Sequence, residues 1–174
     1  MSIQVLLGID AGTSGLKICA FTREGKLVEH ISRNVQFPDT PTGTAELDVT
    51  AYWLHTKAAV RQLCNRPGID ILSVGFSTTC PTVICMDETY EAVRPAISYL
   101  DNRAEAYVQA YLSKFPSEQE YIRYIGNRPA VSTCCISHVM RVKQEEPDHW
   151  SNTSYMGMLN SYLAAKLTGS SGID

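Results

Sequence analysis

The segment from Gly8 to Lys17 constrains this chain more than any other part of it. It reads Gly-Ile-Asp-Ala-Gly-Thr-Ser-Gly-Leu-Lys and follows an apolar run that begins at Ile3. An acidic residue at the end of a buried strand, followed by small residues that expose backbone N–H groups and hydroxyls, can bring phosphate oxygens beside a carboxylate-held Mg²⁺. The segment therefore predicts a strand, a tight turn and a second strand that bind phosphate, with Asp10 as the metal ligand.

Two other phosphate-binding motifs do not match this segment. The dinucleotide fingerprint GxGxxG needs a glycine where Asp10 stands, and the residues after the turn favour a strand over a helix start. The Walker A loop, GxxxxGK followed by Ser or Thr, does not occur in the sequence. A hairpin turn in which Asp10 only caps the backbone is the alternative interpretation.

Composition and charge narrow the function classes. The 174 residues are 44% hydrophobic and 19% charged, which is typical of one globular domain and unlike disordered chains. Fifteen Lys and Arg against eighteen Asp and Glu give a formal charge of −3 without any block of like charges, so no nucleic-acid partner is expected. The start of the chain lacks a basic region and a long apolar stretch, so we expect no secretory signal and no membrane span.

The cysteines favour a reducing compartment. The sequence has six of them, with no CxxC pair and with Cys134 and Cys135 adjacent, which suits neither a zinc site nor a disulfide framework. Reduced thiols are typical of the cytosol, so we expect a cytoplasmic location.

Hydrophobic periodicity predicts a mixed α/β layer with flanking helices. Three antiparallel strands are expected within residues 1–36, before a surface loop from Phe37 to Ala45. An amphipathic helix follows, with Asp48 as its N-cap and Pro67 just beyond its end.

The second half of the chain alternates between strands and helices. Two buried strands, from Ile71 to Phe76 and from Thr82 to Met86, are expected to pair with each other. Helices follow. One is expected to begin directly after its N-cap Asp101, and another after Ser117, which has capping-box spacing. The last helix is expected to stop at Gly169.

Five segments resemble the FGGY family of carbohydrate kinases, in that family's order. The first is the segment from Asp10 to Lys17 with the short hairpin behind it. The other four are Glu46-Leu47-Asp48 ahead of Tyr52-Trp53, Gly75-Phe76-Ser77 with Asp87, the stretch from Pro95 to Ala104, in which Tyr99 replaces the family's Trp, and Leu167-Thr168-Gly169 with Asp174. That family is grouped with actin and Hsp70-type ATPases. The resemblance therefore implies a ribonuclease-H-like fold, of which residues 1–174 would be a partial N-terminal domain without the C-terminal domain.

The resemblance implies ATP and Mg²⁺ as cofactors and assigns the phosphate site. Asp10 is expected to help to hold Mg²⁺ and the phosphates, and the residues expected to line the triphosphate are Gly12, Thr13, Ser14 and Lys17. Phosphoryl transfer depends on positioning and on cations around a dispersed negative charge, which agrees with these residue types. For Lys17 the alternative is a solvated charge at a strand edge.

The resemblance also implies a small-molecule sugar as substrate, and the expected sugar contacts are Thr79, Cys80, Asp101 and Arg103. Xylulose kinases resemble one another in having Gln-Met-His at this loop, whereas Cys80-Pro81 stands here, which does not favour D-xylulose. Thr79-Cys80 is more similar to the Thr-Cys of some ribulose-kinase relatives. Asp101 and Arg103 are expected to bind sugar hydroxyls or to hold the substrate loop, and the alternatives are an N-cap and a solvated first-turn residue.

These residues lead to one hypothesis and two alternatives. The hypothesis is the N-terminal part of an ATP-dependent kinase that phosphorylates a hydroxyl of a pentulose or a similar polyol, with a homo-oligomer left open. The alternatives are a non-catalytic ATP- or sugar-binding module and an actin- or Hsp70-like ATPase. The general base of the resembling kinases is an aspartate well downstream of Leu-Thr-Gly. No catalytic residue is therefore expected in residues 1–174, and this chain alone is expected to be inactive.

Overall fold

A computed structural model of the chain describes residues 2–35, 41–170 and 172. The chain divides into two compact units, a first unit from segments 1–37, 48–79 and 159–174 and a second unit from segments 38–47 and 80–158. Part of the loop expected from Phe37 to Ala45, and the family-like Asp174, lie outside the described residues.

The helices and strands of the described residues follow one another along the chain as β1 (Ile3–Gly12), β2 (Gly15–Phe21), β3 (Leu27–Asn34), β4 (Glu46–Leu47), α1 (Val49–Cys64), β5 (Ile69–Thr78), β6 (Thr82–Met86), β7 (Ala96–Ser98), α2 (Glu105–Leu112), α3 (Glu118–Ile125), α4 (Cys135–Glu145), α5 (Pro147–Ser151), β8 (Tyr155–Gly157) and α6 (Leu159–Thr168). This order confirms the mixed α/β organisation. The three strands expected before residue 36 are present as β1, β2 and β3.

The first unit is built on a mixed sheet with the strand order β3-β2-β1-β5. β2 pairs antiparallel with both β1 and β3, whereas β5 runs parallel to β1 after the crossover through α1. Alternate residues of β1 and β2 are buried, and these are Val5, Leu7, Ile9, Ala11, Leu16, Ile18 and Ala20. Helices α1 and α6 contact this sheet, and their buried side chains include Tyr52, Leu63, Leu159 and Leu163.

The second unit has an antiparallel sheet with the order β4-β7-β6-β8. Every residue of β6 is buried, and α4 contacts this strand. Their shared apolar cluster contains Val83, Cys85, Ile97 and Val142. Helix α4 also contacts α2, so the sheet and both helices belong to one packed unit.

Most of the predicted helix ends are confirmed. Asp48 caps α1, because its Oδ1 accepts the N–H groups of Thr50 and Ala51 at 2.9 and 3.2 Å. Ser117 caps α3 through the N–H of Glu120 at 3.2 Å. The last helix stops at Gly169, which has a φ of 73° and adopts the left-handed conformation that favours glycine.

Three predictions about residues 71–101 are wrong. Helix α2 begins at Glu105 behind Ala104, and Asp101 is not its N-cap. The buried carboxylate of Asp101 binds the Arg103 side chain and two backbone N–H groups that precede α2. The strands β5 and β6 do not pair with each other, because β5 joins β1 in one sheet and β6 joins β7 and β8 in the other. β5 is also largely exposed, whereas a buried strand was expected.

The close approach of β2 and β3 at Gly15 generates a stability prediction. A Cβ atom on Gly15 would lie 2.5 Å from the backbone oxygen of Arg33, so Gly15→Ala must displace β3. We expect a loss of about 1–3 kcal/mol in the free energy of unfolding, measured by urea denaturation. Gly8→Ala is the matched control, because a Cβ there meets no atom within 4 Å. Equal stability of the two variants would contradict this account.

Candidate functional site

The β1–β2 hairpin brings the predicted phosphate residues together. Asp10 lies opposite Lys17 in the antiparallel register, and Gly12 lies opposite Gly15, which leaves Thr13 and Ser14 as the turn. The side chains of Asp10, Ser14 and Lys17 are exposed, and Thr13 is partly buried. A carboxylate, two hydroxyls and an ammonium group therefore lie on one strand-turn-strand unit.

These polar groups are available to a ligand. Within residues 2–35, 41–170 and 172, no hydrogen bond or ion pair engages the side chains of Asp10, Thr13, Ser14 or Lys17. Asp10 therefore does not cap the turn through any described backbone N–H, as the alternative interpretation requires. Polar groups that are left without protein partners at a defined turn are suited to binding polar ligand atoms.

Two hydrogen bonds hold the end of β1 in place. The Tyr52 hydroxyl, on α1, donates to the carbonyl oxygen of Gly12 at 2.8 Å, and the Thr79 N–H donates to the Ala11 oxygen at 2.8 Å. Burial raises the pKa of Tyr52, so its hydroxyl remains a donor at neutral pH. In the sequence, Tyr52 stands out as part of the family-like pair Tyr52-Trp53, and its role in holding the turn appears only in the structure.

A groove of about 450 Å³ lies in front of Asp10 on the outer face of the sheet. Gly8 on β1 and Gly75 on β5 lie opposite each other and line this groove with backbone atoms. Lys17 and Ser77 also line the groove. No side chain fills the space above Gly8, since a Cβ there would meet nothing within 4 Å. The hairpin therefore faces open space that can admit a ligand.

The donor set fits a magnesium ion that arrives with a nucleotide. The described residues contain no group of three or more His, Cys, Asp or Glu side chains that could hold a metal by themselves. Mg²⁺ in kinases keeps several waters and is bound by one or two carboxylates together with substrate phosphates. The single carboxylate of Asp10 beside two hydroxyls meets that requirement.

The predicted sugar contacts are divided between the two units. Thr79 lies at the end of β5 in the first unit and is buried, whereas Cys80, Asp101 and Arg103 belong to the second unit. Cys80 is exposed, and its Sγ lies 3.6 Å from the Sδ of Met158. Asp101 and Arg103 are in direct contact through an ion pair with an N–O distance of 2.7 Å.

Asp101 is fully buried and strongly hydrogen-bonded. Its oxygens accept the Ala45 N–H at 2.9 Å, the Arg103 N–H at 3.0 Å and the Arg103 guanidinium at 2.7 to 3.0 Å. Burial by itself would raise the pKa of Asp101, but the hydrogen bonds from Arg103 and Ala45 outweigh burial and hold that pKa below its ordinary value. Asp101 therefore stays ionised in the folded protein.

Comparison with known proteins identifies the family. The model of the N-terminal domain of the FGGY family of carbohydrate kinases matches residues 5–174, so the chain belongs to that family. The xylulose kinase of Staphylococcus epidermidis is 24% identical over 168 residues, which are 95% of this chain and 33% of that enzyme. The chain thus spans about a third of the length of the curated relatives it matches.

Solved structures show the same fold. The xylulose kinase from Rhodospirillum rubrum has a TM-score of 0.88 at 18% identity and covers 98% of this chain and 36% of its own. The Plasmodium falciparum glycerol kinase with ADP has a TM-score of 0.83 at 21% identity and covers 97% of this chain and 35% of its own. The predicted fold class, a ribonuclease-H-like α/β fold, is confirmed. None of the helices in the described ranges is long and apolar enough to cross a bilayer.

The depressed pKa of Asp101 generates a prediction about acid stability. A carboxyl whose pKa is lower in the folded state stabilises the fold at pH values above its pKa in the unfolded chain, which is about 3.9. This stabilisation is lost as the pH falls through the pKa of the folded state. Asp101→Asn should therefore show a smaller loss of unfolding free energy between pH 5 and pH 2 than the native chain. At pH 7 the variant should be less stable by about 1–3 kcal/mol, because Arg103 loses one of its two carboxylates and keeps Glu46.

Urea unfolding at each pH measures both effects. Asp70→Asn is the control, because the only side-chain contact of Asp70 among the described residues is a 3.5 Å hydrogen bond with Gln4. An Asp101→Asn variant with the same pH profile as the native chain would contradict the assignment of the low pKa.

Proposed function

We propose that the protein containing this chain is an ATP-dependent carbohydrate kinase that transfers the γ-phosphoryl group of ATP to a hydroxyl of a pentulose or a similar polyol. The observation that carries the proposal is the set of four polar side chains on the β1–β2 hairpin that have no partner among the described residues. Membership of the FGGY family supports it, as does the likeness to a glycerol kinase solved with ADP.

Each hairpin residue has a role in this proposal. The hydroxyls of Thr13 and Ser14 and the ammonium group of Lys17 donate hydrogen bonds to phosphate oxygens, while Gly12 lets the nucleotide approach the backbone. Asp10 holds the magnesium ion. Bound Mg²⁺ supplies charge neutralisation at the phosphates. The hairpin can act as a preformed binding site, because the Tyr52 hydroxyl holds its backbone in place.

Residues 1–174 supply the phosphate site and part of the sugar site in this proposal, and they are a partial N-terminal domain of a two-domain kinase. We place no general base among them, so this chain alone is expected not to transfer phosphate. Sugar-dependent ADP release by residues 1–174 at an ordinary kinase rate, about 1–100 s⁻¹, would overturn that part of the proposal.

The sugar is recognised, in this proposal, by Thr79, Cys80 and the Asp101–Arg103 pair. Cys80-Pro81 offers fewer hydrogen-bonding groups than a Met-His pair, so D-xylulose is not the favoured substrate. We also propose a cytoplasmic location, because six free cysteines are compatible with a reducing compartment.

The Asp10 carboxylate offers the direct test of the kinase function. In the natural protein at its full length, Asp10→Asn should lower the kcat of sugar-dependent ADP release by about 10²-fold or more, since the charged ligand of the magnesium ion at the phosphates is lost. Asp70→Asn on the neighbouring strand is the matched control and should leave kcat unchanged. A coupled ADP assay measures both variants against a panel of pentuloses and polyols. Unchanged kcat in a folded Asp10→Asn variant would refute the proposed site.

A further inference from the structure

The guanidinium group of Arg103 is held by two carboxylates. Its Nε donates to both oxygens of Asp101 at 3.0 Å, and its Nη2 donates to Asp101 at 2.7 Å and to Glu46 at 2.6 Å. No residue in the described part of the chain accepts a hydrogen bond from Nη1, and the Arg103 side chain is 31% exposed. Because the guanidinium is planar and rigid, this arrangement leaves two N–H donors of Nη1 in a fixed direction.

Asp101 has no capacity left for a ligand. Its side chain is fully buried, and its two oxygens already accept the N–H groups of Ala45 and Arg103 and the Arg103 fork. A carboxylate offers about four lone-pair sites, and these contacts use them. Asp101 can therefore act on a substrate only through Arg103.

Glu46 is held by a second guanidinium group besides that of Arg103. Its Oε1 also accepts Nη2 of Arg94 at 2.6 Å, and the Arg94 side chain is only 3% exposed. Arg94 in turn donates to Glu146 and to the Pro95 carbonyl oxygen, both at 2.7 Å. Because moving Glu46 would leave the buried Arg94 without one of its carboxylates, Glu46 is fixed in place and fixes Arg103.

The surrounding ion-pair cluster carries no excess positive charge. Arg141 completes it by an ion pair of 2.8 Å with Glu146. Among the described residues the cluster contains four carboxylates and three guanidinium groups, and the His149 ring contacts Glu146; these groups are Glu46, Asp101, Glu145, Glu146, Arg94, Arg103 and Arg141. The Nη1 group thus offers hydrogen bonds without the net positive potential that would attract an anionic ligand.

We propose that Glu46 and Asp101 are positioning residues that orient Arg103, so that its Nη1 donates to a hydroxyl of an uncharged polyol or ketose. The inference rests on the proposed kinase function and gives a physical reason why its substrate is a neutral sugar, as opposed to a sugar acid. It also gives the family-like segments Glu46-Leu47-Asp48 and Asp101-Asn102-Arg103 a shared physical role, because Glu46 and Asp101 bind the same guanidinium.

Steady-state kinetics on the natural protein at its full length test this role. Glu46→Gln should raise the KM for the preferred neutral sugar by about tenfold while the kcat and the KM for Mg·ATP change less than about twofold. In an Arg103→Lys background the same substitution should raise the sugar KM by less than about twofold, because lysine has no Nη1 for Glu46 to orient. Glu120→Gln on α3 is the matched control, since the Glu120 side chain, among the described residues, has only a 3.5 Å ion pair with Arg123.

The outcomes separate this inference from the kinase proposal. Two results would overturn the positioning role alone. One is turnover with an unchanged sugar KM in Glu46→Gln, and the other is an equal rise of the sugar KM when Glu46→Gln is made in the Arg103→Lys background. Absence of sugar-dependent turnover in the native protein would overturn the kinase function, and this inference with it. If Glu46→Gln does not fold, Glu46→Asp replaces it, since the shorter side chain keeps the charge but should likewise raise the sugar KM.

A second arm tests the substrate class. The native protein should have a kcat/KM for a neutral pentulose or polyol at least about tenfold above that for an aldonic acid of the same length, because the cluster offers no net positive charge to a carboxylate. A preference for the acid would overturn the assignment to neutral sugars.

Discussion

The register of β1 is the constraint on which the rest of the first unit depends. This strand lies between β2 and β5, and its successive side chains alternate between a buried face and an open face. Leu7, Ile9 and Ala11 are buried, whereas Gly8 and Asp10 face outward. A slip of one residue would bury the Asp10 carboxylate and expose the apolar set, so the packing of the core also aligns the phosphate site.

The two units differ in whether their charged side chains are paired. In the second unit the charged groups around Arg94 are paired with one another, and removal of one partner would leave a buried charge uncompensated. In the first unit, Asp10 and Lys17 have no described partner, although the backbone that carries them is tightly held. Preorganised backbone with unpaired polar side chains is the property expected of a ligand site.

Local sequence signals predicted much of this structure. The Asp48 N-cap, the Gly169 stop and the β1–β2 hairpin depend on residues within a few positions of each other, and such contacts can be recognised from spacing. The partners of β5 and β6 could not be predicted in this way, because strand pairing is decided by contacts far apart in sequence.

Asp101 shows the same limit at a single residue. Its spacing before a helical pattern is typical of an N-cap, but Ala45, 56 positions earlier in the chain, supplies one of its hydrogen bonds. Glu46 and Arg103 are 57 positions apart, and their contact could not be predicted either. The sequence showed Glu46 only as part of a family-like segment. Long-range ion pairs can only be assigned once the fold is known.

Backbone NMR of the ¹⁵N-labelled chain, titrated with Mg·ADP, tests the phosphate site without turnover, because it reports binding residue by residue. We expect chemical-shift changes concentrated at the amides of residues 10–17, with weak affinity in the range of about 1 mM, equivalent to about −4 kcal/mol. The changes should be greatly reduced in Asp10→Asn. Shift changes confined to other residues, or the same response in Asp10→Asn, would contradict the assignment of the β1–β2 hairpin as the Mg·nucleotide phosphate site.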